Sequence, residues 1–297
     1  MSKKTISIAA RLALLLATVI WGTTFFIMES TIECIPIFTL LGIRFSIAAV
    51  LLATILFKSL KKIDRKYILY GFIMGVLVIS AYIAQTYGLA DPNTTPGKNA
   101  FLTAIYCIVV PFLFWCVTRI KPDRYNIFAA ILCLGGVTLI SLGGDDFSSI
   151  CKGDLLTLLG GILFAAHMVA VSIFSQKHDI LLLTMLQFLF AGIIAWVPAL
   201  LLETFPKNLP MPSVISILYL TVMATCLCYI LQNVGQKFTP PSTAALIMSL
   251  EAVFGVLFSV IFTSEQLTPR LVCGFSLIFI AILVSELKPT IFGGKKQ

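Results

Sequence analysis

A chain of 297 residues in which 59% of the side chains are hydrophobic and only 11% are charged, with a mean hydropathy of +1.03, cannot stay soluble as a monomer. Soluble domains carry about 25% charged residues. The net charge of +8 is spread over segments flanking apolar stretches, with no basic patch on a polar domain, so it excludes nucleic acid as a partner and points to a lipid bilayer.

Apolar stretches of roughly 20 residues, enough to cross a ~30 Å hydrocarbon core as helices, run over 9–28, 37–57, 67–89, 98–118, 125–143, 154–175, 180–202, 213–236, 242–263 and 267–286. The first is too long for the apolar region of a signal peptide and lacks a small-residue cleavage site, so it is expected to be retained. The second carries Arg44, ~10 Å from its outer end at 1.5 Å per residue. In the third, Tyr82 and Gln85 are three apart and share a helix face. Pro92, Pro96 and Gly97 mark the turn into the fourth stretch, which carries Tyr106. Gly97-Lys98 is followed by Asn99 and not by Ser or Thr, so no phosphate-binding loop of a nucleotide-driven pump is encoded there.

His167 lies midway through the sixth stretch, where it could change protonation near neutral pH or sit neutral on a backbone carbonyl. The eighth repeats the earlier pair as Tyr229 and Gln232, and Pro240-Pro241 mark the turn into the ninth. There Ser249 precedes Glu251, the one acidic residue deep in a stretch, ~14 Å from the inner end by helical rise. A carboxylate at that depth must be paired, hydrated or protonated; pairing with Arg44 is one option. Glu265, at the following outer turn, reads as a turn organiser. Six of the eight cysteines fall within the stretches and read as small apolar packing; only Cys34 and Cys151 fall on the outer side.

Basic residues alternate between the gaps. Taking the N-terminus as cytoplasmic, the inner gaps hold sixteen Lys and Arg, among them Lys62, Lys121, Lys177 and Lys237, whereas the outer gaps hold only Lys98, Lys152, Lys207 and Arg270. This asymmetry predicts ten spans with both termini cytoplasmic.

The chain also repeats itself. YIAQTYG, with Tyr82, Gln85 and Gly88, answers to YILQNVG, with Tyr229, Gln232 and Gly235. Trp21-Gly22 matches Phe164-Ala165, Arg44-Phe45 matches Gln187-Phe188, and Ala100 to Pro111 parallels Pro241 to Ala252. Each half, 1–148 and 149–297, has five predicted spans. Because five is odd, the halves must run in opposite directions, as two inverted repeats related by an axis in the membrane plane. That arrangement suits a secondary transporter; polar filter loops of a channel are not seen.

The opening WGTTFF, the Arg-Phe of the second span, GDLLTLLGGILFAAHMVAVSIFSQK and the closing SLEAVFGVLFSVIFTSEQLTPRLVCGFSLIFIAILV resemble the EamA branch of the drug/metabolite transporter superfamily over essentially the whole chain. The resemblance implies an all-α integral membrane fold of ten transmembrane helices in two inverted five-helix repeats. It also implies a cell-membrane carrier without ATP hydrolysis, which exports amino acids or related small solutes by alternating access. One departure stands out: the family's ninth helix usually reads Glu-Pro, whereas this chain has Glu251-Ala252, so the kink that Pro would cause must be missing or supplied otherwise.

The expected substrate contacts are Trp21, Thr24, Tyr82, Gln85, Tyr106, His167, Tyr229, Gln232 and Ser249. Arg44 and Glu251 are expected as coupling or structural charges. No catalytic residue, metal or cofactor is expected; the partners are membrane lipids and a small-molecule substrate, and a homodimer is left open. A broad drug-efflux or nucleotide-sugar carrier is the rival within transport. A membrane enzyme is the rival outside it, and would need reactive groups clustered at one membrane face.

Overall fold

The computed structural model describes residues 3–141, 151–263 and 268–291. Among them no strand occurs, and eight helical runs are long and apolar enough to cross a membrane. In chain order the helices are α1 (Lys3–Ile32), α2 (Ile37–Ile55), α3 (Arg65–Leu89), α4 (Pro96–Thr103), α5 (Tyr106–Thr118), α6 (Arg124–Ser141) and α7 (Lys152–Phe174). They continue with α8 (Ile180–Leu202), α9 (Met211–Tyr219), a π-helical segment Leu220–Leu227, α10 (Cys228–Lys237), α11 (Pro241–Met248), α12 (Leu250–Thr263) and α13 (Pro269–Ile291). The eight runs correspond to predicted stretches one to four and six to nine. Helices α6 and α13 stand at the fifth and tenth stretches and pack on each other. The boundary between the predicted halves and Glu265 both lie outside the described residues.

Local chemistry explains the helix starts. Asp64 caps α3 by accepting the Lys66 and Tyr67 N–H groups, both at 2.9 Å. Pro96 and Pro241 open α4 and α11, where a missing N–H costs nothing. The fourth and ninth stretches are each broken after one short helix. At the first break, bonding tightens to the i→i+3 pattern, as in Ile105 N–H to Leu102 O at 3.3 Å and Cys107 N–H to Ala104 O at 3.0 Å. At the second, the Ser249 hydroxyl donates to Leu246 O at 2.8 Å and Ala252 N–H reaches Ser249 O at 3.2 Å. The helix is therefore broken at Ser249 without Pro. Matching helix starts and breaks pairs Pro96 with Pro241 and Ala104 with Ser249. This shifts the expected parallel of Ala100 with Pro241 by about one helical turn and sets Tyr106 opposite Glu251.

Helix packing recurs with the halves exchanged. Helix α3 packs on α7, as α10 packs on α1; α3 packs on α8, as the π-helical segment packs on α2; α4 and α5 pack on α7, as α11 and α12 pack on α1. The closest approaches use small residues, as in other membrane helix pairs. A Cβ on Gly88 would collide with Thr157 and the Gly153 carbonyl, and one on Gly235 would collide with Leu14 and the Ala10 carbonyl. Gly153 and Thr157 are four residues apart, as are Ala10 and Leu14. Outward, the helices present bare apolar side chains such as Val50, Ile55, Ile131, Leu201 and Leu202, a surface that belongs in hydrocarbon. The chain is a multi-pass membrane protein.

Candidate functional site

At the junction of the two sets of helices lies a narrow cavity enclosing about 450 Å³ of space between atoms. Residues 1–141 contribute Trp21, Thr24, Phe25, Tyr82, Gln85 and Tyr106 to its wall. The later helices contribute Phe164, Met168, Tyr229, Gln232, Met248 and Glu251. The aromatic side chains form a rigid frame of edge-to-face contacts: Trp21 to Tyr229 at 5.2 Å, Tyr82 to Phe164 at 5.3 Å and Tyr82 to Phe45 at 5.4 Å between centroids. The indole N–H of Trp21 donates to Ala224 O at 2.7 Å. That carbonyl lies in the π-helical segment, where Thr225 Oγ1 donates back to Leu220 O at 2.8 Å. Single π turns of this kind are frequent at functional sites.

An acidic and a basic side chain, Glu251 and Arg44, are buried around this space without an ion-pair partner among the described residues. Glu251 is 6% exposed and faces the buried Tyr106 hydroxyl, the side chain placed to share a hydrogen bond with its carboxyl. Arg44, 1% exposed, borders a smaller chamber that shares Thr24, Phe25, Tyr82 and Gln85 with the main cavity. Its Nε donates to Thr225 Oγ1 at 3.1 Å, an Nη lies 3.8 Å from Met28 Sδ, and the guanidinium stands 5.0 Å over the Tyr82 ring. Arg44 and Glu251 do not pair with each other, which corrects that option from the sequence.

The two Tyr–Gln pairs differ in their bonding. Gln85 Nε2 donates to Thr103 Oγ1 at 2.9 Å, and the Thr103 hydroxyl donates on to Asn99 O at 2.9 Å. Asn99 Nδ2 donates to Gln85 O at 3.1 Å and to Thr157 Oγ1 at 2.7 Å. Beyond them, the Lys98 ammonium meets Asp154 at 2.7 Å, and Asp91 accepts the Gly153 N–H at 2.9 Å. The Asn93 N–H, donating to Asp91 at 2.9 Å, holds that carboxyl below its ordinary 3.8. This end of the molecule is knit shut. Toward the other end, Gln232 Oε1 and both amide atoms of Gln236 are buried without partners.

Eight of the eleven residues singled out from sequence therefore line the main cavity; His167, Ser249 and Arg44 do not. His167 sits behind the wall, with its ring edge-on to Tyr229 at 5.8 Å and Nε2 2.9 Å from Gln187 Oε1, so its partner is a side-chain amide and not a backbone carbonyl. The Ser249 hydroxyl is spent on its own helix. Phe25, Met168 and Met248 escape a sequence reading because an apolar residue in an apolar span carries no sign of facing a cavity; Phe164 could have been found as the repeat counterpart of Trp21. Among the cysteines, all described as free thiols, Cys107 and Cys133 bring their sulfurs to 2.8 Å, and Cys151 Sγ lies 3.3 Å from Thr94.

The profile of the EamA-like transporter family matches residues 8–142 and again residues 151–287. The chain belongs to the EamA-like transporter family. An uncharacterized transporter of Archaeoglobus fulgidus is similar at 30% identity over 279 residues, covering 94% of this chain and 86% of that protein. The uncharacterized transporter YetK of Bacillus subtilis is similar at 25% identity over 296 residues, covering 95% and 86% of the two chains. A solved crystal structure shares the fold at a TM-score of 0.75 and 14% identity, over 94% of this chain and 96% of the other. The EamA-like profile matches once before residue 143 and once from residue 151, and both matched stretches contribute side chains to the cavity wall. In this EamA-like chain the break beside Glu251 is made by Ser249 and i→i+3 bonding, in place of the Pro that the family resemblance led us to expect.

Proposed function

We propose that this EamA-like transporter is a ten-span carrier of two inverted five-helix repeats, 1–148 and 149–297, which exports amino acids or closely related solutes across the cell membrane by alternating access. The observation that carries the substrate class is the burial of an acidic and a basic side chain, not paired with each other, at the main cavity and at the smaller chamber beside it. A buried charge is tolerated only with a partner or water, and a zwitterionic solute supplies both partners at once: its carboxylate to Arg44 and its ammonium to Glu251. Trp21, Tyr82 and Tyr229 add an aromatic frame for an apolar side chain, and Gln85 and Gln232 add amide contacts on either side.

The exchanged packing of Gly88 on Gly153–Thr157 and Gly235 on Ala10–Leu14 supports inverted repeats, because equivalent seams would then close opposite ends of the cavity. The charge bias of the loops supports cytoplasmic termini, which puts the Lys98–Asp154 end outside and the Lys237 end inside. His167 and Ser249 are then helix-positioning residues rather than substrate contacts. Membrane lipids are the standing partner. The test is counterflow in proteoliposomes loaded with unlabelled amino acids. Accumulation of a labelled neutral amino acid, competed by other zwitterions and not by their decarboxylated amines, is the expected result. Accumulation of organic cations with no response to zwitterions would overturn the substrate class.

A further inference from the structure

A second chamber lies where the walls of the central cavity continue toward the Lys237 end. Met168 of α7 and Gln232 of α10 line the cavity. Ser172 and Gln236, four residues further along the same helices, line the second chamber, with Gln176, Lys237, Thr239 and Phe114. Residues four apart on a helix lie one above the other on one face, so the two spaces are in series. The second encloses about 630 Å³ and is the more open of the two.

Its buried polar atoms have no partners. Ser172 Oγ, Thr239 Oγ1 and both Gln236 amide atoms make no hydrogen bond, although Ser172, Thr239 and Gln236 are 6%, 5% and 1% exposed. Each such group is costly to bury unless water or a ligand satisfies it. The opposite end is more fully bonded: Gln85 to Thr103, Asn99 to Thr157 and Lys98 to Asp154 pair across it, although Asn99 Oδ1 and Thr86 Oγ1 stay unpartnered there too. At the Lys237 end four buried polar atoms of residues that line the chamber stand without partners. Among the described residues, Lys237 is the only ionisable side chain in its lining and no acidic group lines it.

We infer that this chamber is a binding site for carboxylate-bearing solutes, a staging site that a solute occupies on the cytoplasmic side before or after the central cavity. Gln236 offers two donors and an acceptor, Ser172 and Thr239 one hydroxyl each, and Lys237 an ammonium at the rim. That set satisfies a carboxylate and repels an organic cation. The site rests on the transport reading for its place in a cycle, and on the loop charges for its side.

The test uses the full chain in a cysteine-free background, in vesicles with the Lys237 side accessible. Ser172→Cys is labelled with an anionic sulfonatoethyl thiosulfonate and with its cationic trimethylammonium analogue, each rate normalised to Lys177→Cys in the neighbouring loop. The anionic reagent is expected to be favoured on the order of tenfold, the low end of what a focused surface charge achieves. Lys237→Gln should bring the ratio back to the loop value. Glutamate should slow the anionic reagent several-fold at Ser172→Cys, and Gln236→Leu should remove that protection. Equal normalised rates for the two reagents, or no protection by glutamate in the parent, overturns the staging site. Wild-type counterflow, measured separately, keeps the two readings apart. Transport without charge preference or protection overturns the staging site alone, whereas both labelling effects without any counterflow uphold the binding site and overturn transport.

Discussion

The guanidinium of Arg44 lies 5.0 Å above the ring of Tyr82, which also makes edge contacts with Phe45 and Phe164. A cation buried this deeply, with a hydroxyl and a ring face as its company, has capacity left for an anion. Arg44→Met should leave a folded protein whose thermal midpoint in detergent is unchanged or higher, since an uncompensated charge is removed. Counterflow of zwitterions should fall at least about tenfold, the loss of ~1.4 kcal/mol of binding. Arg44→Lys keeps the charge but loses the bond to Thr225, and should recover part of the transport. Wild-type counterflow in Arg44→Met would remove the carboxylate role.

Glu251 is the acidic counterpart of Arg44. If it carries a coupling proton when no substrate ammonium is bound, a gradient acid on the outer side should accelerate export by the wild type. Glu251→Gln should lose this acceleration, and its downhill exchange should persist at a reduced rate, because the cavity shape is kept while the partner of the substrate ammonium is lost. His167→Asn should keep the acceleration, since the imidazole stands behind the cavity wall on Gln187. A wild type indifferent to the gradient would return Glu251 to a purely substrate-binding role.

The duplicated glutamines make a graded test. Gln85 is bonded to Thr103 at 2.9 Å, so Gln85→Leu should lower stability by about 1 kcal/mol, the net worth of one hydrogen bond. Gln232 Oε1 has no partner, so Gln232→Leu should leave the thermal midpoint unchanged. Both should reduce transport. Equal destabilisation with normal transport in the double variant would show that the amides only glue helices together.

Gly88 and Gly235 should act at opposite ends. A Cβ at Gly88 forces α3 from Thr157 and Gly153, and one at Gly235 forces α10 from Leu14 and Ala10. Gly88→Ala should speed thiol labelling of Thr103→Cys from outside, and Gly235→Ala that of Ser172→Cys from the cytoplasm. Both substitutions opening the same end would contradict inverted repeats.

Orientation has its own test. Single cysteines replacing Lys62, Lys121 and Lys237 should react only from the cytoplasm, and those replacing Asn93 and Lys207 only from outside. Lys62 and Lys207 labelling from one side would break the topology.

Length, hydropathy and loop charge were enough to read a multi-pass helical protein, because the bilayer imposes one length and one polarity on every crossing segment. Repetition of the Tyr–Gln pair was legible for the same reason: a polar residue in an apolar span stands out and its spacing assigns its face. Eight cavity residues followed from that contrast. Tertiary structure alone decided the rest. Met168 looks like any lipid-facing residue until α3 and α7 meet, and Ser249 looks like a ligand until its hydroxyl turns to Leu246. The register that sets Tyr106 opposite Glu251 depends on where two helices break, and that is settled by i→i+3 bonding and a serine hydroxyl where a Pro was expected. Whether Arg44 and Glu251 pair is a matter of distance between helices far apart in sequence, and apolar spans hold no local signal for it.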